Sequence, residues 1–221
     1  MADYAQGRLR AKRKELEESL RGRVTDHRRR LLDMLLRQSE FLDREIVRIE
    51  AEIGERLAPR QELVDRLAEI PGFGEVTAWT ILAEIGFDMT VFRTPERLCS
   101  WAGMCPGNRK SAGKRKSGKT RKGNRWLRRG LTQAGLAASN SKNGYMRSFY
   151  WRMAARRGAK KARIAVGRKQ LIVAFFVIRD GVHYREPGPD YFDRRQPEKT
   201  RNQLVKRLEN PGFKVSLETA A

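Results

Sequence analysis

Residues 105–129 read CPGNRKSAGKRKSGKTRKGNRWLRR, and the rest of the chain is organised around them. This stretch joins two small-residue serine sites, Ser111-Ala112-Gly113 and Ser117-Gly118, to a dense series of Lys and Arg. Its glycines, proline and serines leave no apolar periodicity, so we predict a loop from Gly103 to Gly123. Eight Lys and Arg between Arg109 and Lys122 make phosphate the expected ligand of that loop.

The net positive charge of the chain comes from one segment. Residues 97–179 hold 23 Lys and Arg and no Asp or Glu, whereas the remainder holds 25 basic and 26 acidic residues. The formal charge of +22 therefore arises in this segment, which favours the phosphate backbone of DNA or RNA as partner. No apolar run reaches the roughly 18 residues of a membrane span. The first twenty residues lack the apolar centre of a secretory signal, so we expect no membrane partner and a cytoplasmic, nucleoid-associated location.

Helical periodicity predicts a mainly α fold. Apolar residues between Gly7 and Leu57 recur at steps of three, four and seven, a pattern typical of a helical hairpin or coiled coil, with a break near Gly22 to Asp26. A compact helical domain and then a tail are expected to follow. The predicted domains are residues 1–60, 61–180 and 181–221.

The sequence Ile70-Pro71-Gly72-Phe73-Gly74 separates two short helical patterns at the start of the second domain. A helix, a glycine turn and a second helix resemble the helix-hairpin-helix, which binds DNA backbones without sequence preference. In that interpretation the amides after Gly72 and Gly74 face a phosphate. A plain tight connection explains the same residues equally well.

Further helices are predicted on both sides of the basic loop. Thr94 is expected to cap a helix that turns Trp101 inward, and a helix after the loop is expected to bury Trp126. The last strong helical pattern covers Lys160 to Ile178, ended by the following Asp-Gly. Residues 213–217 are predicted to form a short strand or an arm.

Two serines of the basic loop are candidate nucleophiles. A serine that attacks a DNA phosphate forms a covalent link that conserves the bond energy, and nearby cations stabilise the charge that develops. Ser111 has Lys110 before it and a flexible Ala-Gly pair after it, and Ser117 is the alternative. Both also suit a solvated basic loop in which serine is merely small and polar. The predicted DNA-binding residues are Gly72, Gly74, Lys110, Lys114, Arg115, Lys116, Lys119, Arg121, Lys122, Asn124, Arg125 and Arg128.

Metal-ligating patterns are missing from the sequence. Cys99 and Cys105 are the only cysteines, with no histidine near them, and we interpret them as reduced small apolar residues. His27 and His183 are equally isolated. We therefore predict no metal site in this chain.

Three elements around the serines resemble the C-terminal transposase domain of the insertion-sequence 110/116/902 family. Residues 103–106 (GMCP) are similar to its G-L-x-P element, and residues 111–113 (SAG) to its Ser-Gly-rich element. Residues 120–128 (TRKGNRWLR) are similar to I-T-K-x-G-N/D-x-x-L-R. Arg121 replaces the usual lysine of the third element, and Ala112 replaces a glycine of the second.

The resemblance covers roughly Leu67 to Arg179 and implies a DNA transposase whose nucleophile is Ser111. It implies DNA and a structured guide RNA as partners, with a second copy or a full-length transposase joined through the coiled coil. The family also carries an N-terminal RNase-H-like acidic domain that binds divalent metal, and nothing here matches it. We therefore expect no cofactor in this chain and a truncated or split form that is inactive alone. The alternative is a non-catalytic helical module that binds DNA or RNA.

Overall fold

The computed structural model of the chain describes residues 3, 5–20, 25–107, 109–142 and 144–217, and for residues 20, 109, 110 and 115–117 it describes the backbone alone. The fold is mainly α, as predicted. The helices are α1 (Arg13–Leu20), α2 (Asp26–Leu57), α3 (Gln61–Ala68), α4 (Glu75–Ile85), α5 (Pro95–Trp101), α6 (Arg125–Ser139), α7 (Tyr145–Arg157), α8 (Ala159–Asp180), α9 (Tyr191–Arg195) and α10 (Pro197–Glu209). Two strands, β1 (Arg109–Ser111) and β2 (Lys114–Ser117), pair antiparallel. The chain divides into two compact units, Met1–Ala58 and Pro59–Ala221.

The first unit contains α1 and the long helix α2. The break was predicted near Gly22 to Asp26, and residues 21–24 lie outside the described residues. Helix α2 begins at Asp26, and Thr25 caps it by accepting a hydrogen bond from the Arg28 amide. Ion pairs one turn apart, such as Arg37 with Asp33, line the polar side of the helix. None of the described residues of α2 is buried. Its apolar stripe is therefore open to a partner.

The core of the second unit forms around α8, which packs against α6, α7, α5 and α3. Val166, Leu171 and Phe175 of α8 are fully buried. A Cβ on Gly135 of α6 would lie 2.6 Å from the Arg163 carbonyl oxygen, and one on Gly167 of α8 would lie 2.6 Å from the Leu131 carbonyl oxygen. The backbones of α6 and α8 are thus in direct contact, which only glycine permits at these two positions.

The turn between α3 and α4 packs against this core. The buried Gln170 donates from its amide to the carbonyl of Pro71 at 2.7 Å and to that of Ala134 at 3.2 Å. Gly72 has φ +86°, and a Cβ there would lie 2.3 Å from the Ala134 carbonyl oxygen. The turn is therefore fixed against α6 by backbone contact and by one buried side chain.

The residues after α8 fold back over the same unit. Gly181 ends α8 in the left-handed conformation, and its carbonyl accepts from Arg66 of α3 at 2.7 Å. Glu186 accepts from the first amide of α7, at Tyr145, at 2.7 Å. Helices α9 and α10 follow, whereas residues 213–217, predicted to be a short strand or an arm, form no strand. In the part of the chain that the structure describes, no helix is long and apolar enough to cross a membrane.

Candidate nucleic-acid interface and serine site

The base of the serine-containing stretch is built from glycine backbone. A Cβ on Gly103 would lie 2.9 Å from the Arg121 carbonyl oxygen, and one on Gly107 would lie 2.4 Å from that of Lys119. A Cβ on Gly123 would lie 2.3 Å from the Gly103 amide nitrogen. Real Cβ atoms do not come this close to backbone atoms, so glycine is required at all three positions. We call residues 103–107 and 119–123 the glycine stem.

Each of the two segments of the glycine stem is anchored to the helical core. Met104 is buried, and its methyl group lies within 2.9 Å of where a Cβ on Gly167 of α8 would stand. Directly after the second segment, the Asn124 side chain donates a hydrogen bond to the Glu84 carboxylate of α4. These anchors fix where the chain leaves the core and where it returns.

The glycine stem leads into an antiparallel hairpin, residues 109–117, which we call the serine hairpin. Positive φ angles at Ala112 (47°) and Gly113 (74°) make a two-residue turn of the type that matches the twist of paired strands. The paired residues are Ser111 with Lys114, Lys110 with Arg115, and Arg109 with Ser117, with a register shift after Arg109. The prediction of a loop was therefore wrong for these residues. Main-chain pairing needs no apolar side chains, so a polar hairpin leaves no periodicity to detect.

Ser111 is the last residue of β1 and is exposed at the tip of the serine hairpin. Directly paired residues project to the same face of a hairpin with Cβ atoms about 5 Å apart, so Ser111 and Lys114 are neighbours. Ser117 lies at the opposite end of the hairpin, paired with Arg109. The predicted nucleophile thus stands at the projecting end beside a cation, and its alternative lies next to the glycine stem.

Most of the predicted DNA-binding cations are open to solvent. Lys114, Lys119, Lys122 and Arg125 are exposed, as is Arg121, whose carbonyl accepts a hydrogen bond from the half-buried Arg128 at 3.4 Å. Lys110, Arg115 and Lys116 contribute described backbone to the two strands, while their side chains, like that of Ser117, lie outside the described set. The described cations therefore follow the tip, the glycine stem and the start of α6.

Asn124 has a structural role that the sequence interpretation did not include. Its side-chain oxygen accepts from the amides of Trp126 and Leu127, both at 3.0 Å, and so caps α6. Its side-chain nitrogen is bound to Glu84. Both ends of the amide are thus occupied within the protein.

The two glycines of the predicted helix-hairpin-helix lie in different surroundings. Gly72 packs against the backbone of α6, as described above, and its positive φ is needed for the turn. Gly74 is exposed and precedes α4 as its cap residue, and a Cβ added there would have no atom within 4 Å. Close packing therefore accounts for Gly72, and of the two only Gly74 is open to a ligand.

Comparison with known proteins matches the central part of the chain to a family. Residues 64–151 match the profile of the Transposase IS116/IS110/IS902 family, and this range contains the glycine stem and the whole serine hairpin. Residues 64–151 are a transposase domain of the IS116/IS110/IS902 family. The resemblance recognised from the three sequence elements is thereby confirmed.

Two relatives carry insertion-element names. An insertion element IS110 uncharacterized 43.6 kDa protein of Streptomyces coelicolor is 34% identical over 126 residues, which cover 56% of this chain and 30% of the relative. An insertion element IS900 uncharacterized 42 kDa protein of Mycobacterium paratuberculosis is 30% identical over 152 residues, which cover 65% of this chain and 38% of the relative. The chain thus spans about a third of the length of these relatives.

Two tryptophans of the IS116/IS110/IS902 domain lie at the surface, contrary to prediction. Trp126 is 55% exposed with the Arg125 guanidinium 4.8 Å from its ring centroid, and Trp101 is 44% exposed. The helical spacing could have predicted that Trp126 is exposed, because Arg129 and Gln133 share its face of α6 and are not buried. An aromatic side chain favours the core by its type, but the period of α6 places this one outside it.

The cysteines and histidines form no metal site in the part of the chain that the structure describes. Both cysteines are free, and burial raises the pKa of the Cys99 thiol to about 11, so it stays protonated. His183 pairs with Glu69 at 2.7 Å, and this contact holds the pKa of that carboxyl below its usual range. No group of three His, Cys, Asp or Glu among the described residues is placed to hold a metal ion.

Proposed function

We propose that this chain is the DNA-binding and nucleophile-bearing part of a transposase, with Ser111 as the nucleophile. The observation that carries the proposal is the exposed position of Ser111 at the tip of the serine hairpin, beside Lys114, in a segment without carboxylates. The family membership of residues 64–151 supports the reaction class. The glycine stem also supports the proposal, because its close backbone packing fixes where the serine hairpin leaves the helical core.

The chemistry assigned to Ser111 is transesterification at a DNA phosphate. The serine oxygen attacks phosphorus, a new ester bond forms, one phosphorus–oxygen bond to deoxyribose breaks, and the leaving hydroxyl takes up a proton while the serine releases one to solvent. Phosphate carries negative charge at every stage, and the transition state spreads further charge over its oxygens. The Lys114 ammonium and the cations of the stem would offset that charge. The ester link keeps the bond energy for rejoining.

The divalent metal that the resemblance implies finds no ligand group in the described parts of this chain. The proposal therefore concerns the serine, its cations and the DNA contact. In it, the acidic metal-binding part of the active site is supplied by a full-length transposase.

A second candidate function is DNA or RNA binding without catalysis by the chain alone. The observation that favours it is the solvent exposure of Ser111 and Lys114, because phosphoryl transfer is strongly assisted where water is excluded. In this case the same cations bind the backbone of the nucleic acid, including a structured RNA.

Helix α2 supports the assembly part of the proposal. Its apolar residues at steps of three, four and seven are about half exposed, including Leu31, Leu35, Leu42, Ile46 and Ile49. Such a stripe on a 32-residue helix fits a coiled coil with a second copy or with a full-length transposase. This assembly would bring two serine hairpins to one DNA target.

The proposal is tested with DNA that carries the ends of an insertion element. The chain is incubated with this DNA, with and without a full-length family member, and covalent protein–DNA adducts are resolved on a denaturing gel. In the presence of the full-length family member, we expect an adduct at the mass of this chain with the wild type and with the matched control Ser117→Ala, and none with Ser111→Ala. An adduct that survives Ser111→Ala contradicts the assignment. Salt-sensitive binding without any adduct supports the non-catalytic module.

A further inference from the structure

Trp126 presents a large apolar ring to solvent at the start of α6. The residue is 55% exposed even though the Arg125 guanidinium lies 4.8 Å from its ring centroid. The buried face of α6 runs through Leu127 and Leu131 and does not include Trp126. The indole therefore contributes little to the core. Covering its exposed apolar surface with a partner would be energetically favourable.

The position of Trp126 relates it to the serine hairpin. It is the third residue after Gly123, whose backbone touches that of Gly103. Trp101, also exposed, is the second residue before Gly103. Because three residues span at most about 10 Å, the Cα atoms of both exposed tryptophans lie within about that distance of the Gly103–Gly123 contact at the base of the glycine stem.

The charge around Trp126 identifies the chemistry of its partner. Arg121, Lys122, Arg125 and Arg129 lie within five residues of it and are exposed. The segment from residue 97 to residue 179 contains no carboxylate, and Glu84 of α4 is already hydrogen-bonded to Asn124. The surface thus combines one planar apolar ring with several cations. A nucleotide, with a flat base and a phosphate, is complementary to both.

We propose that Trp126, backed by Arg125, is a stacking platform for an unpaired nucleobase of the DNA strand held at the serine hairpin. The inference rests on the proposed DNA binding. It goes further by specifying that the bound DNA contains an unpaired base. A base within a duplex is stacked on both faces, so an indole can cover it only at an unpaired or extruded position. The site therefore favours single-stranded or locally opened DNA over intact duplex.

The test compares affinity for a single-stranded oligonucleotide with affinity for the same sequence as a blunt duplex. We expect Trp126→Leu to bind the single strand about 5- to 150-fold more weakly, the range found for removal of one base–aromatic stack, with less than about a twofold change for the duplex. Trp126→Phe keeps a ring and should retain most of the single-strand affinity. The matched control is Trp151→Leu, because Trp151 of α7 is 57% exposed and lies away from the glycine stem in sequence. It should leave both affinities unchanged.

Tryptophan fluorescence gives a second measurement, which does not depend on whether the Trp126→Leu variant folds. Stacking quenches indole fluorescence, so the single strand should quench wild type and Trp151→Phe alike, and should quench Trp126→Phe much less. Equal quenching in Trp126→Phe, or unchanged single-strand affinity in a folded Trp126→Leu, overturns the stacking proposal while DNA binding stands. A lower mass in solution for Trp126→Leu with unchanged DNA affinity also overturns it, because the indole is then a protein contact. If wild type binds neither DNA, the proposed function itself fails.

Discussion

In the glycine stem, residues 103–107 and 119–123 touch through their backbones, whereas Ser111 and Lys114 at the tip of the serine hairpin face solvent. The stem leaves no room for a single added carbon at Gly103, Gly107 or Gly123. At the tip, a Cβ added to Gly113 would have no neighbour within 4 Å. The three glycines of the stem are therefore required for packing, whereas the side chains of Ser111 and Lys114 at the tip are available for a ligand. Substitution of a stem glycine should therefore lower stability, and substitution of either side chain at the tip should affect DNA chemistry or binding.

The largest expected effect is on stability and comes from Gly123→Ala. The added Cβ would lie 2.3 Å from the Gly103 nitrogen and 2.5 Å from the Ala102 carbonyl carbon, so two backbone segments must separate. We expect the free energy of unfolding to fall by at least about 3 kcal/mol, measured by denaturant unfolding. The matched control is Gly113→Ala, where only the positive φ of 74° resists the substitution and the cost is about 1 kcal/mol. Equal losses in the two variants would contradict the distinction between stem and tip.

Asn124→Ala should have the next largest effect on stability. It removes the cap of α6 and the hydrogen bond to Glu84, so polar groups on both sides are left without their partner. We expect a decrease of about 1–2 kcal/mol in the free energy of unfolding. Glu84→Gln is the control, because it keeps the cap and an acceptor. A variant Asn124→Ala that keeps wild-type stability but binds DNA weakly would mean that Asn124 is a DNA contact.

Ala112→Gly should stabilise the protein. Ala112 has φ 47°, a conformation that costs an alanine about 1–2 kcal/mol and a glycine almost nothing. Glycine also gains freedom in the unfolded chain, so we expect a net increase of about 0.5 kcal/mol in the free energy of unfolding. A decrease measured by denaturant unfolding would show that the turn at the tip is not the one described.

The smallest effect is expected for Lys114→Gln, and it should appear in DNA binding alone. Lys114 is exposed opposite Ser111, so its removal leaves the stem unchanged. Because the variant can no longer neutralise a DNA phosphate at this position, the slope of log affinity against log salt concentration should fall by about 1. Lys199→Gln in α10, outside the basic segment, is the control. An unchanged slope in Lys114→Gln would place the DNA elsewhere.

The sequence was sufficient for the helices and for the family, because long periodic patterns and capping residues such as Thr94 act locally. It was not sufficient for the serine hairpin, whose strands are polar and pair through main-chain atoms. The roles of Gly103, Gly107 and Gly123 depend on contacts between residues 12 to 21 positions apart, which no local pattern records. Asn124 was predicted to bind DNA, although its position before a helix and after a glycine is typical of a cap.

The measurement that tests the central claim most directly locates the DNA on the protein. The chain is allowed to form its covalent adduct in the presence of a full-length family member, and the adduct at the mass of this chain is isolated. The DNA is then digested to a nucleotide remnant, and the protein is cleaved after Lys and Arg for mass spectrometry. Cleavage after Lys110 and Lys114 releases residues 111–114 (SAGK), whereas cleavage after Lys116 and Lys119 releases residues 117–119 (SGK). If Ser111 at the tip is the nucleophile, the peptide 111–114 carries the nucleotide mass and the peptide 117–119 does not. A nucleotide on the peptide 117–119 would contradict the account.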